Sequence, residues 1–236
     1  MSTPVETFHA LLRADAARPR ITVYDDTDGP SRGERIELSA RVLGNWVAKA
    51  ANALQDEWDL GPGSLVGLDL PPHWRSLYWS LAVWSVGATV VLDPLDTDDL
   101  DLLVTASPEV AADAAAPAVL VTLPALTRSG TAPAGSWDEA RELASHPDQF
   151  EPYAVPRPTD LALRSATGST AYGEFDPASS TTGARVHTGT EDLTEFLDIV
   201  LAAWAAGGSV VLSRGTPEPD VLAARLAAEG VTGEAR

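Results

Sequence analysis

The sequence predicts a layered α/β fold with a mainly parallel sheet, and two observations carry that prediction. The segment Ser64–Pro94 reads as strand, turn, buried helix, strand, a βαβ unit with a right-handed crossover. The same grammar returns between Arg185 and Ala228, and strands alternating with helices build parallel sheets. With 236 residues, 44% of them apolar, the chain can bury an ordinary core. It reads as one α/β domain over residues 1–236. A division into two lobes, if there is one, is expected in the loop near 123–136, and residues 151–159 form a connector.

The elements follow in order. Val5–Ala17 places Phe8, Leu11 and Leu12 at helical spacing behind Thr3, an N-cap, and Pro4. Ile21–Tyr24 and Arg35–Glu37 flank an acidic, glycine-containing loop and predict a hairpin. Ser39 caps a helix that carries Val42, Leu43, Trp46, Val47, Ala50 and Leu54 on one side. The run Asp59–Gly63 breaks it. Ser64–Leu70 is a strand stopped by Pro71 and Pro72, His73–Val86 a helix closed by Gly87, and Ala88–Leu92 a β-branched strand of central type. On that helix Trp74, Leu77, Tyr78 and Leu81 form one stripe while Trp79, Val83 and Val86 lie off it. Such a helix is sandwiched between layers or buried in a subunit contact. Trp74, Trp79 and Trp84 recur every five residues, steps of about 140° around the axis, which is packing and not a ligand-stacking stripe.

Leu102–Thr105 and Val119–Thr122 predict strands around a short helix, Pro108–Ala115. Thr127–Ser136 is a polar loop, Trp137–Ser145 a helix and Glu151–Pro158 a proline-rich connector. Leu161–Arg164 is a strand, and a polar zone runs from Ser165 to Gly183. Arg185–His187, Asp192–Ala205, Ser209–Leu212 and Val221–Ala228 close the chain as strand, helix, strand, helix.

Composition excludes several functions. Against 16 Lys+Arg stand 34 Asp+Glu, a net charge of −18, which repels nucleic-acid backbones and anionic lipid. Cysteine is absent, which excludes thiolate chemistry and fits a reducing cytoplasm. No apolar run approaches the ~20 residues of a membrane span, and the N-terminus lacks a cationic leader region, so the expected location is the cytoplasm. The acidic run Asp93–Asp101 lacks the glycine and glutamate of a calcium loop and reads as solvated. His9, His73, His146 and His187 show no metal spacing. Neither a nucleophile elbow nor a dinucleotide fingerprint is present. The one lysine, Lys49, reads as a solvent-facing helix residue.

Several motifs run in register with a known family. The early helix with Phe8, Leu11 and Leu12 leads to Ile21–Tyr24 and then to R-I-E-L-S. After it come L-G-P-G-S-L-V-G-L-D-L-P-P, then L-Y-W-S-L-A-V-W-S-V-G-A-T-V-V-L-D-P, and later A-A-G-G-S-V-V-L and E-G-V-T. This order resembles the N-terminal subdomain of the adenylate-forming superfamily, the acyl-CoA synthetases and AMP-binding ligases. The resemblance implies that subdomain's fold and a loop rich in Ser, Thr and Gly, closed by proline and lysine, that cradles ATP phosphates. Two windows compete for that loop. Ser179–Val186 keeps Thr181, Thr182 and Gly183 but has Arg185 for the proline and Val186 for the lysine. Gly168–Glu174 puts Glu174 where a lysine belongs. The family's adenine strand, ribose-binding aspartate, magnesium-binding glutamate and C-terminal catalytic lysine have no counterpart in these 236 residues.

The expectation is therefore a truncated, non-catalytic relative with a binding, scaffold or regulatory role. It has no catalytic residues, no metal and no obligatory cofactor. A vestigial ATP or AMP loop falls at Thr181, Thr182, Gly183 and His187, the last at a strand end where α/β folds gather ligands. The alternatives are a reduced ligase completed by a partner chain and a vestigial acyl- or nucleotide-binding module. A homodimer is expected through apolar surface on the helix His73–Val86.

Overall fold

The computed structural model describes residues 2–92, 99–128, 130–177 and 181–234. The chain forms two compact units that interleave along the sequence. The first holds residues 1–5, 44–70 and 75–175, the second 6–43, 71–74 and 176–236. Residues 123–136, expected as a divide, fall inside the first unit. The change-over after Phe175 comes where one sheet is complete and the chain returns to the other.

In the first unit, seven strands are ordered β7-β6-β5-β3-β4-β8-β9. They are β3 (Leu65–Asp69), β4 (Thr89–Val91), β5 (Leu102–Thr105), β6 (Ala118–Leu120), β7 (Trp137–Asp138), β8 (Leu161–Ser165) and β9 (Gly168–Ala171). All neighbours are parallel except β8 and β9, an antiparallel hairpin. The predicted βαβ unit is present: Leu65, Val66 and Gly67 pair with Thr89, Val90 and Val91, joined by α3 (Trp74–Ser85). A strand buried on both faces needs apolar residues without alternation, and β4 and β5 are buried at every position.

The α3 helix is core on all sides. Leu77, Tyr78 and Trp79 are fully buried, and Trp84 is 2% exposed. The Trp84 indole donates to Ala162 O at 2.9 Å and meets Phe175 edge-on at 5.7 Å, so its one polar group is satisfied. This corrects the sequence expectation that α3 supplies a free apolar surface for a homodimer. Glutamate at Trp79 or Trp84 would bury a carboxylate within the core instead of separating a pair of subunits. Gly87 ends α3 with φ of +83°, and a Cβ there would lie 2.9 Å from Pro156 Cδ and 3.0 Å from Pro62 Cγ, so only glycine fits.

A further packing device uses α2 (Ala40–Trp58), which Ser39 caps by accepting from the Val42 amide at 3.3 Å. Lys49, Asn52 and Gln55 are spaced three apart and face the chain beyond α5 (Glu139–Glu142). Lys49 Nζ donates to the carbonyls of Ala144, at 2.8 Å, and His146. Asn52 donates to Pro147 O and Gln149 O, and Gln55 both donates to Glu151 O and accepts from the Tyr153 amide. The expected solvent-facing Lys49 is thus committed to the backbone carbonyls of Ala144 and His146.

In the second unit, five strands are ordered β12-β10-β11-β1-β2. They are β1 (Pro19–Asp25), β2 (Arg35–Ser39), β10 (Arg185–Thr188), β11 (Ser209–Arg214) and β12 (Gly233–Glu234). β1 and β2 are the predicted antiparallel hairpin, and the other pairs are parallel. The α6 helix (Leu193–Ala205) begins at Asp192, which accepts from the Glu195 amide at 2.8 Å, and buries Phe196, Leu197, Val200 and Trp204. Trp204 packs with its ring tilted against Phe8 of α1 (Pro4–Asp15), centroids 5.5 Å apart, and donates to Arg20 O. The remaining helices are α4 (Pro108–Asp113) in the first unit and α7 (Pro219–Ala228) in the second. Among the described residues no helix is long and apolar enough to cross a membrane.

Candidate functional site

Of Thr181, Thr182, Gly183 and His187, Gly183 is among the residues lining a cavity. It sits at the tip of the turn entering β10, with φ of +69°, a conformation suited to glycine. Its amide donates to Ala206 O at 2.8 Å, and the Ala184 amide donates to Thr181 O at 3.1 Å. Thr181 and Thr182 are exposed, and residues 178–180 of the same window lie outside the described residues. His187 lies on β10 two residues past Arg185, about 7 Å of strand at 3.3 Å per residue, and does not line the cavity beside Gly183. Its Nε2 lies 3.2 Å from Ser213 Oγ. The structure therefore does not bring the four together.

The competing window, Gly168–Glu174, is β9 followed by a 3-10 turn, Tyr172–Glu174. Three of its amides are already used: that of Ala171 bonds Glu174 Oε2 at 2.9 Å, and those of Tyr172 and Gly173 bond Asp160 O and Pro158 O. Glu174 caps its own turn. Of the acidic run, residues 93–98 lie outside the described residues, and Asp101 accepts from the Leu65 amide at 2.7 Å, a strand-pairing role. Among the described residues no cluster of three or more His, Asp or Glu side chains could hold a metal.

The cavity beside Gly183 has a volume of about 510 Å³ and opens at the N-terminal ends of β1, β10 and β11. Arg18, Arg35 and Arg185 line it with Glu37 and Glu229. Glu229, just past α7, is the hub. It accepts from the Tyr24 hydroxyl at 2.5 Å and from Arg35 Nε at 2.9 Å, and pairs with Arg185 Nη2. Burial alone would raise its pKa, but hydrogen bonds from Tyr24, Arg185 and Arg35 outweigh that and hold it at about 2. Arg185 also reaches Ser209 Oγ at 3.2 Å and Thr22 Oγ1 at 2.9 Å. Arg35 bridges Glu37 at 2.9 Å, and Arg18 donates to Gly183 O at 3.4 Å. The arrangement can bind charge. It presents no acyl or phosphoryl acceptor positioned by a base.

Sequence reasoning missed this cluster because its members are scattered from residue 18 to residue 229. One signal was available: Arg185 and His187 alternate with apolar residues on a strand of otherwise central type, which marks a polar sheet face.

A buried ionic group lies in the first unit. Arg75 and Glu139 pair at 2.7 Å with side-chain exposures of 4% and 1%, and the Tyr78 hydroxyl donates to the same carboxylate oxygen. Arg75 also holds the carbonyls of Leu123 at 3.3 Å and Pro124 at 3.1 Å. Desolvation raises the Glu139 pKa despite Arg75. The group has the geometry of a clamp between α3, α5 and the loop after β6.

No family model matches the chain. A protein of Mycobacterium tuberculosis (strain ATCC 25618 / H37Rv) is 37% identical over 248 residues, an alignment covering 98% of this chain and 99% of that protein. Among solved structures, a Brucella canis acyl-CoA synthetase superposes with a TM-score of 0.75 at 16% identity, over 98% of this chain and 46% of its own. The Klebsiella oxytoca NpsA N-terminal subdomain in complex with 3-hydroxyanthranilyl-AMSN gives 0.66 at 17% identity, over 99% and 60%. The amide bond synthetase McbA K483A mutant of Marinactinospora thermotolerans gives 0.66 at 18%, over 98% and 48%. The fold is that of the N-terminal subdomain of adenylate-forming enzymes, and the chain spans roughly half the length of the solved structures it matches.

Proposed function

The chain belongs to the TIGR03089 family, the name its Mycobacterium tuberculosis relative carries, and from that premise we propose a cytoplasmic, non-catalytic, ligand-binding role on an adenylate-forming scaffold. The observation that carries this is the fate of the cations. The chain's one lysine is spent on the carbonyls of Ala144 and His146. Arg185, two residues past the Thr181–Gly183 turn, is held by Glu229. A triphosphate in transfer needs mobile cations and metal against its developing charge, and Val186 stands where the resemblance requires lysine.

The binding half of the proposal draws on the Klebsiella neighbour, an N-terminal subdomain in complex with 3-hydroxyanthranilyl-AMSN. A scaffold of this fold thus holds a ligand as an isolated subdomain. ATP–pyrophosphate exchange with a panel of carboxylic acids tests the proposal: the purified chain is expected to show none above the protein-free rate. Exchange that appears only on adding a second chain would favour a ligase completed by a partner.

A further inference from the structure

We propose that the cavity bounded by Arg18, Arg35 and Arg185 binds a small oxyanion group, a phosphate or a carboxylate. This deepens the ligand-binding role by naming the ligand's chemistry, and it rests on that role. In a chain of net charge −18, three guanidiniums face this cavity against two carboxylates, Glu37 and Glu229, a local balance of one positive charge.

The donors outnumber the acceptors. Glu229 and Glu37 take up donors of Arg35 and Arg185. Left over is Arg18, exposed and anchored by one long bond to Gly183 O. Left over too is Nε of Arg185, a buried N–H without an acceptor. Arg20 lies at the same end of the sheet but outside the lining of this cavity. Arg185 pairs in register with Ser209, and Ile21 with Val210, so Arg20 stands beside Ser209 on the next strand. Its Nη1 holds Gly207 O and Gly208 O, and its Nε is buried without a partner.

Buried donors normally find acceptors, and a guanidinium edge matches the paired oxygens of a carboxylate or phosphate. The two glutamates set an upper limit on ligand charge. One excess positive charge suits a singly or doubly charged group, and Glu37 at the rim, one-third exposed, disfavours a polyphosphate.

The test follows arginine Nε–H resonances in ¹H–¹⁵N spectra of the whole chain, titrated with sodium phosphate, sodium acetate or AMP at constant ionic strength. Saturable shifts of Arg18 and Arg185 are expected. Arg18→Gln should weaken binding about ten-fold or more, the weight of a charge-assisted contact. Arg32→Gln, which removes an equal charge from an exposed pair with Asp28, should leave it unchanged. Response to phosphate and AMP but not acetate assigns a phosphate ligand, and acetate alone assigns a carboxylate. No saturable shift from any of the three up to about 50 mM, far above a millimolar Kd, overturns the proposal. So does equal weakening in both variants, which would mean charge screening. Pyrophosphate exchange reports separately: activity would end the non-catalytic role and leave this site standing.

Discussion

At the scale of single residues, Arg75 and Glu139 show how a charge becomes integral to a core. Neither is surface-exposed, and each is tolerable only because the other and the Tyr78 hydroxyl are present. Glu139→Ala should therefore destabilise the fold by about 3–5 kcal/mol, because it strands a buried guanidinium. The double replacement Arg75→Met/Glu139→Leu should recover most of that loss, as apolar side chains refill the space. Urea unfolding of the three proteins decides it, and equal losses in single and double variants would contradict the clamp. None of this is legible in the sequence. Arg75 sits in a helix whose pattern is apolar, and Glu139 in a segment with the pattern of an exposed helix, 64 residues away. Pairing across that separation leaves no periodic trace.

At the scale of elements, α7 is attached in an unusual way. None of its residues is buried, so apolar packing cannot be its main anchor. Charge holds its C-terminal end. Arg225 bonds Asp26 at 2.7 and 3.1 Å and stacks over the Tyr24 ring at 4.0 Å, and Glu229 enters the arginine cluster. Charge-assisted bonds of this kind contribute about 1.5–3 kcal/mol each. Glu229→Gln should speed amide hydrogen exchange in α7 about ten-fold or more, with α6 unaffected. The Glu229 carboxyl has a folded pKa near 2, below its ordinary 4.5. Its contribution is complete above pH 4.5 and fades as the pH falls toward 2. Acid should therefore release α7, and this step should be absent in Glu229→Gln. Unchanged exchange in the variant would contradict the ionic anchor.

Sequence periodicity recovers the apolar elements well. The βαβ unit, the β1–β2 hairpin and the Asp192-capped α6 follow from spacing and caps. It fails where strands lack apolar residues. β9, Gly-Ser-Thr-Ala, is half-exposed and has the composition of a loop. Trp137–Asp138 pairs as a two-residue strand, too short to show alternation, and its surroundings carry a helical pattern.

At the scale of the whole molecule, two sheets and their helices reproduce the fold of a subdomain of adenylate-forming enzymes, while Lys49 and Arg185 are committed to carbonyls and to Glu229. Fold grammar is legible because βαβ units repeat their signals locally. The site is not, because its five charged residues come from distant stretches of chain and meet only after folding. The candidate Thr181, Thr182, Gly183 and His187 follows a linear motif, and β10 separates its ends. The central claim, binding without adenylation, is tested most directly by single turnover. A stoichiometric amount of the purified chain is incubated with radiolabelled ATP, magnesium and the carboxylic-acid panel, and the products are resolved after quenching. The account predicts intact ATP and no acyl-adenylate or AMP above the protein-free control. AMP or acyl-adenylate approaching one equivalent per chain with any acid would contradict it.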